Sequence, residues 1–357
     1  MPNHFLQSIV IPTQTLAVST TVTFDLPINP LSHIYLTIRL LNNTGTAALT
    51  LNYTTLAQLL ATITRVEVLF RGSAIISASL TDIAVAYMIL TGRQIWGGQL
   101  DHIDDNVRQI TIPIPLGRLL YNRSECFPAT RKGELQLQIT SGAAVAGIDT
   151  LTIQAETVEL IDANPQAYLK LTTATKDPGG VQEEDLDLPI GNIVAGVLIF
   201  STTPPAGAAA TIGINNIQML VNNVQRYYPR TNWETLHGAL TQRLDPLVLN
   251  SHVHAIHRTT AAGLAASAVS IADGVAGAVT GGVAATGAAT NLIAATSGIL
   301  QQSYVADFME NYALLDLDPT RDLTYALDTL GLSRFHLRIS HGIDEVIRAI
   351  PFEIVRV

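Results

Sequence analysis

The sequence predicts an all-β chain that contains two similar antiparallel sandwiches in tandem. Apolar and polar residues alternate over many short stretches, Gly and Pro interrupt the chain at short intervals, and a block of patterns from the first half recurs in the second. The 357 residues also suit two domains, because single domains typically hold about 100–200 residues. Either half is therefore long enough to bury a core of its own.

Strands are predicted wherever the alternation has a period of two. Ile34–Leu40 has an apolar residue at every second position, and Leu135–Ile139 alternates leucine and isoleucine with glutamine. This pattern is typical of strands that bury one face and expose the other.

Helices are predicted to be the minority element. Thr81 and Asp82 are suited to cap an apolar helix that continues to Leu90 and ends at Gly92. A second helix is predicted to begin after Asn232. Each helix follows a strand and a turn.

The two halves share a series of patterns in the same order. In each half a strand ends at a residue that tolerates a positive φ, a capped helix follows, and two further strands close the half. The matched segments are Ile63–Gly72 with Ile214–Asn223, Leu135–Gly142 with Phe335–Gly342, and Glu156–Leu160 with Glu353–Val357. The repeat predicts two copies of one fold, residues 1–163 and 164–357; chance similarity between strand patterns is the alternative.

The second copy contains an Ala- and Gly-rich insertion at about residues 259–302. Asp273 is the only charged residue of this segment, which has no aromatic residue. The glycines and Asp273 disfavour a membrane-spanning helix. We expect a packed helical or loop excursion, either an exposed tower or part of a subunit contact; a membrane-facing element and disorder are the alternatives.

Composition and charge narrow the class of function. The chain is 48% hydrophobic and 14% charged, with a mean hydropathy of +0.30, which predicts large subunit contacts. With a net charge of −9 the chain lacks the overall basic character that would neutralise phosphates, so no direct sequence-specific nucleic-acid binding is expected. The first 60 residues carry only Asp25 and Arg39, which predicts neither a basic genome-binding arm nor a signal peptide.

Cys126 is the only cysteine of the chain. An intrachain disulfide is therefore impossible, and the fold is compatible with a reducing cytosol. No base is evident beside Cys126, so we interpret it as a packed thiol rather than a nucleophile.

Short segments rich in Pro, Gly and apolar residues accompany the repeat. They are Ile112–Gly117, Cys126–Pro128 and Gly133–Leu135 in the first half, and Leu186–Gly191 and Ala349–Glu353 in the second. Together with the tandem repeat, the helix after a mid-domain turn and the uncharged N-terminal arm, they resemble the double jelly-roll major capsid proteins of the PRD1 and adenovirus lineage. The resemblance covers nearly the whole chain apart from the insertion.

This resemblance implies two tandem eight-stranded jelly rolls and a structural role in a virion, with no enzyme activity, catalytic residue or cofactor. It implies a homotrimer whose six jelly rolls form a pseudo-hexameric capsomer that tiles an icosahedral capsid. Neighbouring capsomers and other capsid proteins such as pentons are the implied partners, with assembly in the host cytoplasm. The arm of residues 1–20 is expected either to contact an internal membrane or to form an edge strand or inter-subunit tie.

Three histidines have a spacing that suits metal ligands. Alternate strand positions place His252 and His254 on one face, and His257 follows. No cysteine lies nearby as a further ligand, and the cluster adjoins the insertion. Surface histidines are therefore the preferred interpretation over a zinc site.

Three aspartates resemble part of a calcium-binding loop. Asp316, Asp318 and Asp322 have suitable spacing, but the segment lacks the central Gly and terminal Glu of an EF-hand, and Arg321 lies among the acids. We predict a polar turn with a local ion pair; calcium at a subunit contact is the alternative.

A carbohydrate-binding or carbohydrate-cleaving tandem sandwich is the main alternative function, and a viral receptor-binding spike is another. Trp96, Trp233, Tyr227 and Tyr228 are aromatic residues suited to stack on sugars, and residues 101–105 supply several carboxylates. The sequence lacks the motifs of serine hydrolases, phosphate-binding loops, zinc proteases and dinucleotide-binding enzymes. A structural protein therefore remains the preferred prediction.

Overall fold

A computed structural model describes residues 4–42, 56–93, 95, 97–98, 107–144, 148–203, 213–244, 252–256, 269–273, 282–285, 288–291, 309 and 311–357. Strands of the first half are β1 (Phe5–Thr15), β2 (Thr21–Asp25), β3 (Leu31–Asn42), β4 (Ile63–Phe70), β5 (Ser73–Ala78), β6 (Gly97–Gly98), β7 (Val107–Pro115), β8 (Leu135–Ser141) and β9 (Ile148–Leu160). Strands of the second half are β10 (Ala167–Thr172), β11 (Ala174–Lys176), β12 (Glu183–Asp187), β13 (Ile193–Phe200), β14 (Ile214–Val221), β15 (Val224–Gln225), β16 (Thr231–Asn232), β17 (His252–Ile256), β18 (Val269–Asp273), β19 (Gly282–Ala285), β20 (Ala288–Asn291), β21 (Tyr312–Asp316), β22 (Leu327–Asp328), β23 (Phe335–His341) and β24 (Ile347–Arg356). Described helices are α1 (Leu56–Ala61), α2 (Leu80–Thr91) and α3 (Trp233–Arg243).

The first half forms an eight-stranded jelly roll. One sheet has the strand order β1-β9-β3-β7, with β6 beside β7, and the other has the order β2-β8-β4-β5. All of these pairings are antiparallel. Apart from the β4–β5 hairpin, each successive main strand crosses to the opposite sheet, which is the jelly-roll connection.

The second half repeats this topology. Its sheets have the orders β10-β24-β13-β21 and β12-β23-β14-β15, and β11, β22 and β16 add short pairings to β24, β13 and β14. The segments matched in sequence occupy equivalent places, namely β4 and β14, β8 and β23, and β9 and β24. The predicted tandem of two jelly rolls is therefore confirmed.

The two rolls share a continuous sheet. β5 pairs in parallel with β10, so that Ile76 lies opposite Leu171 and Ser77 opposite Thr172. Ten strands are joined in this way. The edge strand β5 of a first-roll sheet thus lies beside the edge strand β10 of a second-roll sheet.

The core follows the alternation seen in the sequence. In β8 the buried side chains of Leu135, Leu137 and Ile139 alternate with half-buried polar ones, as period-two geometry requires. One apolar core extends from the first roll across the joined sheet as far as Phe352. A second core lies inside the second roll and includes Trp233.

The helices follow their predicted order, with one correction. α2 begins at Leu80 because Ser79, rather than Thr81 or Asp82, is its N-cap; the Ser79 hydroxyl accepts a hydrogen bond from the Asp82 N–H at 3.1 Å. Gly92 ends the helix as predicted, with a φ of 68°. α3 begins after Asn232, also as predicted.

The described parts of the insertion are strands. β18 pairs with β17, which precedes the insertion, and β19 pairs with β20; both pairings are antiparallel. These parts do not form the packed helix that was one expectation, because they pair as β ladders. The remainder of residues 259–302 lies outside the described residues, and the location of the insertion stays a prediction.

Candidate functional site: the contact between the jelly rolls and the sheet edges

Helix α2 lies where the two rolls meet and carries a buried carboxylate. The Asp82 residue is only 1% exposed. Its Oδ1 accepts hydrogen bonds from the Tyr312 hydroxyl at 2.6 Å and from Arg348 Nη2 at 3.0 Å. Tyr312 lies in β21 and Arg348 in β24, so Asp82 ties the helix of the first roll to two strands of the second.

The surroundings of Asp82 keep the Tyr312 hydroxyl protonated and hold the Arg348 side chain in place. Burial, with the nearby Asp82 carboxylate, raises the pKa of the Tyr312 hydroxyl, which therefore stays protonated and donates. The Arg348 guanidinium carbon lies 3.8 Å from the centroid of the Phe200 ring, a cation–π contact that fixes the arginine side chain. The group therefore joins the two rolls through buried polar contacts.

A second ionic cluster also crosses between the rolls. Arg118 pairs with Glu125 at 2.9 Å and with Asp318 at 2.6 Å, and all three side chains are largely buried. Gly117 permits the tight turn, because a Cβ there would lie 2.1 Å from the Glu125 carbonyl oxygen. The arginine therefore joins the segment after β7 to the segment after β21.

A pocket beside this cluster is lined by charged and apolar residues. Asp316 forms an ion pair with Arg243 of α3, and Arg321 Nη2 donates to the Ile89 carbonyl at 3.3 Å. The pocket offers about 30 Å³ to water, which is room for one or two molecules.

The three aspartates of the predicted calcium-like turn have separate partners. Asp316 pairs with Arg243 and Asp318 with Arg118. Asp322 accepts hydrogen bonds from Thr320 and Thr324, which lower its pKa to about 2. The polar turn is present, but its ion pairs reach distant segments rather than Arg321, because tertiary packing brings Arg118 and Arg243 closer.

The histidine cluster is only partly described. His252 and His254 belong to β17, and nothing is described of their side chains, while His257 lies outside the described residues. Among the described residues, no group of three His, Cys, Asp or Glu side chains is arranged to hold a metal.

The aromatic residues of the carbohydrate alternative that the structure describes do not form one platform. Trp233 is 1% exposed and belongs to the second core. The half-buried Tyr228 hydroxyl donates to the Asp316 carbonyl at 2.9 Å, whereas Tyr227 is exposed. Trp96 and residues 101–105 lie outside the described residues. The buried Trp233 is therefore not available to a sugar.

Cys126 is a packed thiol, as predicted. Its side chain is fully buried. Burial raises its pKa to about 11, so that the unreactive thiol form dominates at neutral pH.

The N-terminal arm forms an edge strand, as one of its two expectations stated. β1 pairs with β9 and occupies the end of its sheet. Ile11 is buried, whereas Phe5, Leu6 and Ile9 are exposed apolar side chains. Phe5 packs edge-on against Tyr121 with ring centroids 5.2 Å apart.

The second roll has a sheet edge that is made of two very short strands, β15 and β16. β15 and β16 each pair with β14 over two residues and stand at the end of their sheet. Between them, Tyr227 has a φ of 58° and Pro229 follows. Val224 and Tyr227 are exposed there.

None of the helices in the described part of the chain is long and apolar enough to cross a membrane.

Comparison with known proteins identifies the architecture. No protein-family model and no curated protein matches the sequence. The STIV major capsid protein matches over 99% of this chain and 97% of its own, with 11% identity and a TM-score of 0.61. The major capsid protein P2 from bacteriophage PM2 matches over 99% and 98%, with 10% identity and a TM-score of 0.57. The chain has the double jelly-roll fold.

A third double jelly roll of this kind comes from the PBCV-1 virus capsid. It matches over 99% of this chain and 94% of its own, at 8% identity and a TM-score of 0.53. At such low identity the likeness concerns the fold. It includes both rolls and their arrangement, because the matches span nearly the full length of each chain.

The ionic residues that join the rolls of this double jelly roll were not predicted from the sequence. Asp82 was interpreted as part of a helix cap, and Arg118 and Arg348 were not singled out. A charged residue within an apolar helix was the available signal for Asp82, since a buried charge requires a partner. No local pattern identifies that partner.

Proposed function

We propose that this double jelly roll is a major capsid protein that trimerises into a pseudo-hexameric capsomer and tiles an icosahedral virus shell. The observation that carries the proposal is the full-length match to capsid proteins, over 99% of this chain and 97–98% of the STIV and PM2 proteins. A fold alone does not establish a function, so the surface and the charge of the chain must agree with it.

The structure supports an assembly role in two ways. The rolls are held side by side by a shared sheet and two buried ionic clusters, which makes one chain a rigid unit with two similar blocks. Large apolar side chains are exposed at sheet edges, where a partner would cover them. A structural, non-enzymatic role agrees with both features.

Residues 1–163 and 164–357 form the two rolls, since β9 ends at Leu160 and β10 begins at Ala167. The partners are copies of this chain, neighbouring capsomers and other capsid proteins such as pentons. Its location is the virion, with assembly in the host cytoplasm, which the single cysteine permits.

Light scattering on the purified protein at several concentrations tests the oligomer. We expect a mass near three times 38.2 kDa that does not change on dilution. Electron microscopy of concentrated samples should then show hexagonal outlines and larger shells or sheets. A monomer at all concentrations, with no assembly at any salt concentration or pH, would overturn the proposal.

A further inference from the structure

We propose that neighbouring copies of this chain meet through two sheet edges that are equivalent to the two strands paired inside one copy. These are β1 of the first roll and the β15–β16 edge, residues 224–232, of the second roll. The inference rests on the proposed capsomer and specifies the surfaces through which its chains make contact.

The contact inside the chain provides the template. β5 of the first roll lies against β10 of the second. By strand order, β10 is equivalent to β1, and β5 is equivalent to β15. Within the chain, β5 of the first roll and β10 of the second are therefore paired. Their equivalents, β15 of the second roll and β1 of the first, have no such partner among the described strands. A head-to-tail contact of this kind closes into a ring when its rotation permits, and three chains would place six rolls in that ring.

Both free edges expose apolar side chains. On β1, Ile9 is 68% exposed, and about half of Phe5 and Leu6 is exposed. On the opposite edge Val224 is 58% exposed and Tyr227 about half exposed. Aromatic and aliphatic residues clustered in this way are typical of the centre of an interface.

The second-roll edge is basic, and a half-buried acid lies beside the first-roll edge. Arg226 and Arg230 are exposed on residues 222–232, which contain no acid, and neither forms an ion pair among the described residues. Next to β1, the β9 strand carries the half-buried Glu156, which accepts a hydrogen bond from Gln7 at 2.5 Å. Opposite charges would favour this pairing of edges and set its orientation.

The contact between chains differs in one respect from the contact within the chain. Residues 226–229 bulge outward: the Tyr228 N–H donates to the Arg226 carbonyl at 2.6 Å, Tyr227 has a positive φ, and Pro229 has no N–H. Bulges and proline at an edge prevent the addition of another strand. Neighbouring chains therefore meet through side chains, whereas β5 and β10 meet through their backbones.

Cysteine cross-linking tests the contact directly. The double variant Ile9→Cys/Val224→Cys is purified and treated with a short bismaleimide. The native Cys126 is fully buried and therefore contributes little background. We expect cross-linked dimers and trimers and no larger species, because a closed ring contains three chains. Each single variant should give no cross-link, since the contact joins two different edges.

Two matched controls test whether the effects require the proposed contact or occur at any exposed apolar position. Val181→Cys/Leu330→Cys places thiols at exposed apolar positions elsewhere on the second roll and should not cross-link. Ile9→Asp should convert the trimer to a monomer in light scattering, whereas Leu330→Asp should leave the mass unchanged. Since Ile9 is largely exposed, its substitution does not disturb the core.

Each outcome has a distinct meaning. Trimer mass with the Ile9–Val224 cross-link supports the contact. Trimer mass without the cross-link, and with Ile9→Asp still trimeric, overturns the contact but leaves the capsomer proposal standing. A monomeric wild-type protein overturns both. If fluorophore-labelled Ile9→Cys instead floats with vesicles of phosphatidylcholine and phosphatidylglycerol and does not cross-link, the arm faces a membrane and the contact is again overturned.

Discussion

Asp82 is a charged residue in an otherwise apolar helix, and its partners lie in the other roll. We predict that Asp82→Ala lowers the free energy of unfolding by about 3 kcal/mol, because Arg348 and the Tyr312 hydroxyl both lose their acceptor. Urea denaturation measures this value. The control Asp328→Ala removes an exposed carboxylate that lies 3.7 Å from Arg356 and accepts from the Leu330 N–H at 3.0 Å, and it should lower stability by at most about 1 kcal/mol. Equal losses in the two variants would contradict the prediction.

His33 gives the stability a pH dependence. Its buried ring lies between Tyr35 and Tyr121, with centroids 4.6 and 5.0 Å away, and burial lowers its pKa to about 4. The unfolded chain has the ordinary value of about 6.5 and binds the proton first as the pH falls. The stability that neutral His33 contributes is therefore present above pH 6.5 and is lost as the pH falls towards 4, by about 3 kcal/mol in total.

The variant His33→Phe isolates this effect. Stability measured between pH 7 and pH 4 should fall less steeply in the variant than in the wild type, since phenylalanine does not titrate. The exposed His4 supplies the control, and His4→Gln should leave the wild-type slope unchanged. Parallel slopes for wild type and His33→Phe would show that another group is responsible.

At the scale of single elements, two glycines are expected to respond in opposite directions. A Cβ at Gly117 would lie 2.1 Å from the Glu125 carbonyl oxygen, so Gly117→Ala must displace the turn that also positions Arg118. We expect a loss of about 1–3 kcal/mol. A Cβ at Gly238, inside α3, meets nothing within 4 Å, and Gly238→Ala should stabilise the protein by about 0.5–1 kcal/mol. Thermal unfolding of both variants measures the signs.

The elements also differ in how well the sequence predicted them. The period-two alternation in β3 and β8, the stop of α2 at Gly92 and the start of α3 after Asn232 depend on neighbouring residues, and each was predicted. The cap of α2 was placed two residues too late, because Ser79 and Thr81 are both suitable caps and only the backbone path selects between them. The short strands β11, β16 and β22 carry too few residues to show a period.

For the whole molecule, the shared sheet predicts that both rolls unfold together. The core around Ile83 in the first roll continues to Leu198, Leu314 and Phe352 in the second, so that melting one roll exposes apolar surface of the other. We expect a single calorimetric transition at a fixed protein concentration. If both rolls unfold as one unit, the calorimetric enthalpy should not fall into two separate parts, one for each roll. Two separated transitions would show that the rolls are independent.

The sequence by itself determined the all-β class, the tandem repeat and the order of strands and helices. Alternation, turns and caps are local properties, and two copies of one fold repeat them in register. Only the tertiary structure decided which charges meet: Asp82 bonds to Tyr312, 230 positions away, and Arg118 to Asp318, 200 positions away. It also decided which edges are joined and which are free, because strand pairing depends on how the two rolls pack together and is not encoded in any single segment.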